Sequence, residues 1–265
     1  MRRRLPCPRA SATFSFVKLY VLGVGDTFTE KHVTHALLLE AEGFRLAIDC
    51  PDSYRRVLRA ARDKAGTAHA KDLDLFAIDD VLVTHVHGDH MNGLEGVGYF
   101  KHFAQKKPLG LHTIAPVREA LWGERLVASM GTLWDGQELR KKSFDDYFAW
   151  SEVALDRVTT IGPFRIRARI TKHHVPTSAL LVEHGGQSIG ISSDTAFDPE
   201  LIAFLAQAEL IVHETNYGAA HTAYADLLTL DADVKSKMRL IHYPDEFDIA
   251  KSEIPALLEG QVIEL

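Results

Sequence analysis

The stretch FVKLYVLG at 16–23 is apolar apart from Lys18, and it predicts a buried strand closed by a turn at Gly23-Val-Gly25. HALLLEAEGFRLAIDC at 35–50 predicts two strands joined by a tight turn at Glu42-Gly43. The period then changes. After Pro51-Asp52-Ser53, a helix start, Tyr54, Val57, Leu58 and Ala61 recur at i, i+3, i+4 and i+7. A polar linker over roughly 64–74 leads to the short strand IDDVLVTH at 78–85. A helix from Asn92 to Phe103, the strand LGLHTI and a helix over APVREALWGERLV follow. Residues 131–160 mix charged and aromatic side chains without a period, as an insertion or cap would. FRIRARIT alternates, with Phe164, Ile166, Ala168 and Ile170 on one face and Arg165, Arg167 and Arg169 on a solvated one. SALLVEHGGQSIGISSD predicts a hairpin turning at Gly185-Gly186. A helix over Pro199–Ala208, a strand over ELIVHE, a helix over 222–237 and the strand MRLIHY complete the pattern. Short linkers throughout predict one α/β domain over 16–265, two sheets with helices outside.

Composition adds limits. The chain has 265 residues, 46% of them hydrophobic and 25% charged, as in ordinary globular proteins. A net charge of −6 argues against broad binding to a nucleic-acid backbone, although a metal could supply positive charge locally. Cys7 and Cys50 form neither a disulfide framework nor a zinc-knuckle pattern, so a reduced, cytoplasmic setting is expected. No run approaches the roughly 20 apolar residues of a membrane span. Residues 1–15 begin with a basic end but have no apolar h-region, and they read as a disordered extension rather than a signal peptide.

The chemistry is concentrated in VLVTHVHGDH, which packs His85, His87, Asp89 and His90 into six residues. In a strand, residues i and i+2 share a side, so His85 and His87 project together. Gly88 permits a sharp turn that brings Asp89 and His90 in from another direction. One metal can take the first pair and a second metal the other, with imidazole and carboxylate suiting zinc as well as iron or manganese. Four ligands do not complete two sites, so others must come from elsewhere in the chain.

His-x-His-x-Asp-His after an apolar strand resembles the signature of the metallo-β-lactamase superfamily, whose fold is an αββα sandwich of two mixed sheets with helices on the outer faces. The resemblance covers about residues 16–245. It implies three more ligands: His174 in KHHVPTSALLVE, Asp194 in IGISSDT and His242 in MRLIHY. His174 is preferred to His173 because His174-Val-Pro-Thr-Ser178 is similar to the His-x-x-x-Ser/Ala pattern of phosphodiesterase relatives. Asp194 is expected to bridge the two ions. Its neighbour Ser193 stands where relatives commonly carry glycine.

Two divalent ions, most simply zinc, bring the pKa of a shared water from roughly 15.7 to about 7, which makes a metal-bridging hydroxide available for attack. The chain has no G-x-S-x-G elbow, P-loop or dinucleotide fingerprint. His213-Glu214 and Ala220-His221-Thr222 resemble motifs of RNase Z-like phosphodiesterases. By that resemblance His221 protonates the leaving oxygen or holds the phosphate, and Glu214 orients it; Asp89 joins them in catalysis. The twenty residues from His174 to Asp194 leave no room for the flexible arm of tRNA-processing relatives. The expected substrate is therefore a small phosphodiester such as a cyclic nucleotide, with no long nucleic acid and no membrane involved. The resemblance also raises a homodimer, though no seam is readable. Alternatives on the same fold are a carboxyl-ester, lactone or thioester hydrolase, an RNA 3′-end processing nuclease, and a non-catalytic binder. His32 and His35 follow the first turn and are candidates for substrate contact. His69, His102, His112 and His184 are expected on the surface or behind the site.

Overall fold

The structure is a computed structural model that describes residues 16–69 and 72–265. The expected N-terminal extension, Cys7 and part of the 64–74 linker lie outside those residues. Strands β1 (Lys18–Gly23), β2 (Ala36–Ala41) and β3 (Phe44–Ile48) lead to helix α1 (Tyr54–Ala65). Strand β4 (Asp80–Leu82), helices α2 (Gly88–Met91) and α3 (Leu94–Phe100), and strand β5 (Leu109–Thr113) follow. Next come α4 (Ala115–Ala120), α5 (Val127–Met130), β6 (Thr132–Trp134), β7 (Leu139–Lys141), β8 (Phe148–Glu152) and β9 (Val158–Ile161). The second half holds β10 (Phe164–Ile170), β11 (Ser178–His184), β12 (Gln187–Ile191), α6 (Pro199–Leu205) and β13 (Leu210–Glu214). Helices α7 (Tyr224–Leu228) and α8 (Ala232–Lys237) precede β14 (Met238–Ile241) and β15 (Val262–Glu264).

These strands make two mixed sheets, ordered β15-β1-β2-β3-β4-β5-β8 and β14-β13-β12-β11-β10-β9, with β6 and β7 as a separate hairpin. One continuous apolar core lies between the sheets, and a second cluster lies beneath α6. Strand β11 shows how the pleat feeds both. Leu180 and Val182 point into the shared core, whereas Ala179 and Leu181 point out to α6. Truncating Leu181 to alanine in such packing costs about 2–5 kcal/mol. Parallel β12, β13 and β14 end at the same edge of the second sheet, and β4 ends opposite them in the first. The edge where the two sheets' strands stop is where the candidate ligands collect. Among the described residues no helix is long and apolar enough to cross a membrane. Cys50 is a buried free thiol.

Three expectations change. Residues 131–160 are more regular than their pattern: they give the β6–β7 hairpin and the strand β8 along one sheet edge, and β9 begins just before they end. β8 pairs in parallel with β5, across an intervening helical connection, so its partner leaves no local trace in the sequence. The helix expected over 222–237 is two short ones, α7 and α8, separated at 229–231. The arginine face of β10 is not simply solvated. Arg167 and Arg169 lie over the Phe204 ring at 5.6 and 4.8 Å, and Arg167 donates to Gln207 at 2.9 Å, so this face is where α6 packs.

Candidate metal centre

His85 and His87 leave the end of β4 on one side, and Gly88 opens α2, which returns Asp89 and His90 from the other. Six side chains then sort into two groups around Asp194, which is almost fully buried. His85, His87 and His173 gather on its Oδ2 side: His85 Nε2 and His173 Nε2 each lie 3.7 Å from that oxygen, and His173 Nε2 is 3.1 Å from His87 Nδ1. Asp89, His90 and His242 gather on the Oδ1 side, with His90 Nε2 at 3.4 Å and His242 Nε2 at 3.6 Å. Asp89 Oδ2 is 3.4 Å from His90 Nε2 and 3.3 Å from His242 Nε2.

The far nitrogens fix which atoms face inward. His173 Nδ1 is 3.0 Å from the Ala220 carbonyl, which only accepts, so that nitrogen carries the proton and Nε2 presents a lone pair. His90 Nδ1 is 2.7 Å from Asp49 Oδ2, with the same result. His85 Nδ1 sits 3.0 Å from the Thr84 hydroxyl, whose own proton goes to Asp49. The inward nitrogens of the two groups crowd together: His90 Nε2 stands 3.4 Å from His242 Nε2. His85 Nε2 and Asp194 Oδ1 are buried with no hydrogen-bond partner. Buried ring nitrogens and carboxylate oxygens crowded this closely, two of them unpartnered, are a poor arrangement for a protein alone and fit cations held between them. The donor set, imidazole nitrogens with carboxylate oxygens, suits divalent metal ions.

Burial lowers the pKa of His85, His87 and His173, the last to about 4, which favours the neutral, ligating imidazole. Burial opposes ionisation of Asp194, but His242, His90 and His85 around it hold its carboxyl well below the usual range. Asp89 is likewise held down by His90 and His242 against burial.

The histidine brought beside His85 and His87 is His173 rather than the expected His174. Thr171 Oγ1 donates to the Asp194 carbonyl at 2.7 Å, and Thr171 N–H donates to Thr177, which pins the β10–β11 connection. Residue 173 then turns inward, whereas His174 is exposed and lines the mouth of the cavity. The spacing to Ser178 pointed to His174, whereas the geometry brings its neighbour His173 into the group. The other expected positions, His85, His87, Asp89, His90, Asp194 and His242, all meet at the site. Ser193 has φ 53°, a left-handed conformation in which glycine carries no side-chain penalty.

His221 lies in the loop before α7, not within a helix. Its Nδ1 is 3.0 Å from Glu214 Oε1, and its ring stacks on His242 with centroids 5.6 Å apart. Glu214 also accepts the Thr195 N–H at 2.7 Å, and its burial, followed by the negative charge of Asp194, pushes its pKa well above the usual carboxylate range. His213 is buried and donates Nδ1–H to the Glu214 carbonyl. His35 is buried against His90 and His242 rather than at the cavity mouth, and burial lowers its pKa.

Asp49 was not anticipated. It follows β3 with φ 64° and accepts from the Thr84 amide and hydroxyl as well as from His90. A carboxylate closing the apolar strand FRLAI, beside the strand that carries the histidines, was the available signal. Of the remaining histidines, His112 pairs with Asp80 at 2.8 Å and His102 with the Asp146 carbonyl, both away from the centre. A cavity of about 460 Å³ opens onto the cluster and is lined by His87, Asp89, Asp194, His221 and His242 together with residues of the surrounding loops.

Comparison with known proteins gives the fold and the family. The family model described as Anti-Pycsar protein Apyc1 matches residues 17–256. The Anti-Pycsar protein Apyc1 of Saccharibacillus brassicae is 30% identical over 244 residues, which are 86% of this chain and 90% of that protein. Among solved structures, the metallo-β-lactamase fold protein YhfI from Bacillus subtilis superposes with a TM-score of 0.74 at 17% identity, covering 94% of this chain and 99% of that one. The short form of human tRNase Z superposes at 0.65 and 18% identity, covering 93% and 98%. The sandwich is thus the metallo-β-lactamase fold, and the chain belongs to the Anti-Pycsar protein Apyc1 family.

Proposed function

We propose that the chain is a metal-dependent phosphodiesterase that opens small phosphodiesters of the cyclic-nucleotide class. The observation that carries this reading is the pairing of two converging donor groups on the two oxygens of Asp194 with an imidazole, His221, beside them and backed by Glu214. His85, His87 and His173 would hold one divalent ion, Asp89, His90 and His242 the other, and Asp194 both. Zinc is the ion best matched to five imidazoles and two carboxylates. When bound, the two ions lower the pKa of water towards neutrality and offset the charge that develops on a phosphoryl group.

The chain's own residues supply the rest. Asp89, anionic beside His90 and His242, is placed to orient the attacking water by hydrogen bonding. Opening a cyclic phosphodiester consumes one water and breaks one P–O bond. The oxygen that leaves phosphorus stays on the same molecule and takes up a proton. His221 faces the cluster, and Glu214 holds its Nδ1, so in the imidazolium form its other nitrogen carries the proton that the leaving oxygen takes up. The size of the cavity suits a mononucleotide rather than a folded RNA. The short run from His173 to Asp194 is taken up by the loop, β11 and β12, with no arm to grip a larger substrate. Membership of the family also supports a cyclic nucleotide.

The test is turnover of cyclic AMP, bis-p-nitrophenyl phosphate and an acyl-homoserine lactone by zinc- or manganese-reconstituted protein. Hydrolysis of cyclic AMP with release of AMP is expected. Turnover of the lactone alone would overturn the reading.

A further inference from the structure

Two aromatic side chains on the rim of the cavity are nearly free of contact: Phe28 is 86% exposed and Tyr217 is 69% exposed. The backbone that carries them is fixed from behind by a chain of hydrogen bonds. Asp26 Oδ1 accepts the amide N–H of Phe28 at 2.9 Å, and Asp26 Oδ2 accepts from Asn216 Nδ2 at 3.1 Å. Asn216 Oδ1 in turn accepts the amide N–H of Tyr217 at 2.7 Å, and Asn216 Nδ2 lies 3.4 Å from His242 Nδ1. The Phe28 loop is tied down again at its far side, where Thr29 Oγ1 and the Glu30 amide donate to Asp245. A Cβ at Gly25 would come within 2.6 Å of the Thr29 side chain, so this fold of the loop requires glycine there.

An apolar ring left in water has a reason to fold back onto the surface. Here two such rings line one cavity, and their backbone amides are held by a polar bracket that also reaches His242. We infer that Phe28 and Tyr217 form the platform that takes the planar face of a nucleobase, while the phosphodiester lies against the Asp194 cluster below. The inference rests on the phosphodiesterase reading and deepens it, because it assigns a base-bearing substrate and two residues that discriminate for the base. Aromatic rings serve this purpose because a base offers a π-face whatever its edge chemistry.

The experiment compares cyclic AMP with a substrate that lacks the base, methyl ribofuranoside 3′,5′-cyclic phosphate, in metal-loaded wild type and in Phe28→Ala/Tyr217→Ala. Phe28→Leu/Tyr217→Leu, which keeps apolar bulk without a π-face, is run beside them. Both side chains are exposed, so folding is not at stake, and unchanged thermal melting confirms it. Stacking of one base predicts a KM for cyclic AMP raised about 10- to 100-fold in the alanine pair with kcat nearly kept, and most of that loss in the leucine pair. The base-less substrate should be hydrolysed equally by all three. Equal losses on both substrates, no loss on either, or a loss that tracks a change of sedimentation coefficient would overturn the platform. A wild type that hydrolyses neither substrate would instead overturn the phosphodiesterase reading beneath it.

Discussion

Asp49 Oδ2 lies 2.7 Å from His90 Nδ1, so a carboxylate just past the end of β3 sets the direction in which a histidine of α2 presents its other nitrogen. Burial raises the pKa of Asp49, and the hydrogen bonds from His90 and Thr84 counter that rise. Asp49→Ala should lower zinc affinity about 10- to 100-fold, the usual scale for losing a partner behind a ligating histidine. Competition with a chelator of known affinity measures it. Unchanged affinity would mean that the histidine is held by packing alone.

The neighbours His173 and His174 are predicted to part company. His173→Ala removes a lone pair that stands 3.1 Å from His87 Nδ1, and bound metal should fall from two ions per chain towards one. His174→Ala should leave the metal content intact and change kcat by less than about 3-fold, because an exposed side chain at the cavity mouth is expected to add little to the chemistry. Elemental analysis and initial rates on both variants decide, and the reverse pattern would contradict the geometry.

His221→Ala should slow hydrolysis of cyclic AMP by about 10²–10⁴-fold, the scale for a lost general acid. Glu214→Gln should give a smaller loss, since it disturbs the orientation of His221 without removing it. Bis-p-nitrophenyl phosphate releases a phenolate that needs little protonation, so its hydrolysis should suffer much less from His221→Ala. Equal losses on the two substrates would assign His221 to phosphate binding instead.

Ser193→Gly is expected to stabilise the protein. The left-handed backbone at this position strains a residue with a Cβ, and the Ser193 hydroxyl is buried without a protein partner. The greater freedom of glycine in the unfolded chain takes back part of the gain. A net of about 1 kcal/mol, or a rise in Tm of about 2–4 °C, should appear in calorimetry. A lower Tm would show that the serine makes a contribution the backbone angle does not reveal.

How far the sequence could be read depended on whether a feature was local. The alternation of FRIRARIT and the i, i+3, i+4, i+7 run of α1 lie within one element and reappear in the structure. His85, His87, Asp89 and His90 were readable because their spacing along strand and turn already places them. Strand β8 was not, since its partner β5 lies beyond a helical connection and its outer residues are polar like a loop. The choice between His173 and His174 was also beyond reach, because it turns on a loop pinned by Thr171 to the carbonyl of Asp194. Phe28 and Tyr217 show no pattern at all in the sequence; their common cavity arises from two loops that are brought together only in the fold.

Asp194 is the point where both donor groups meet, through one oxygen each. Asp194→Ala should therefore disturb both ions at once. The decisive measurement is metal stoichiometry together with cyclic AMP turnover in wild type and in this variant. The wild type should hold two divalent ions per chain and release AMP. The variant should lose bound metal and all detectable turnover while still melting cooperatively. A wild type that takes up no metal, or a variant that keeps both its ions and its rate, would contradict the dinuclear centre.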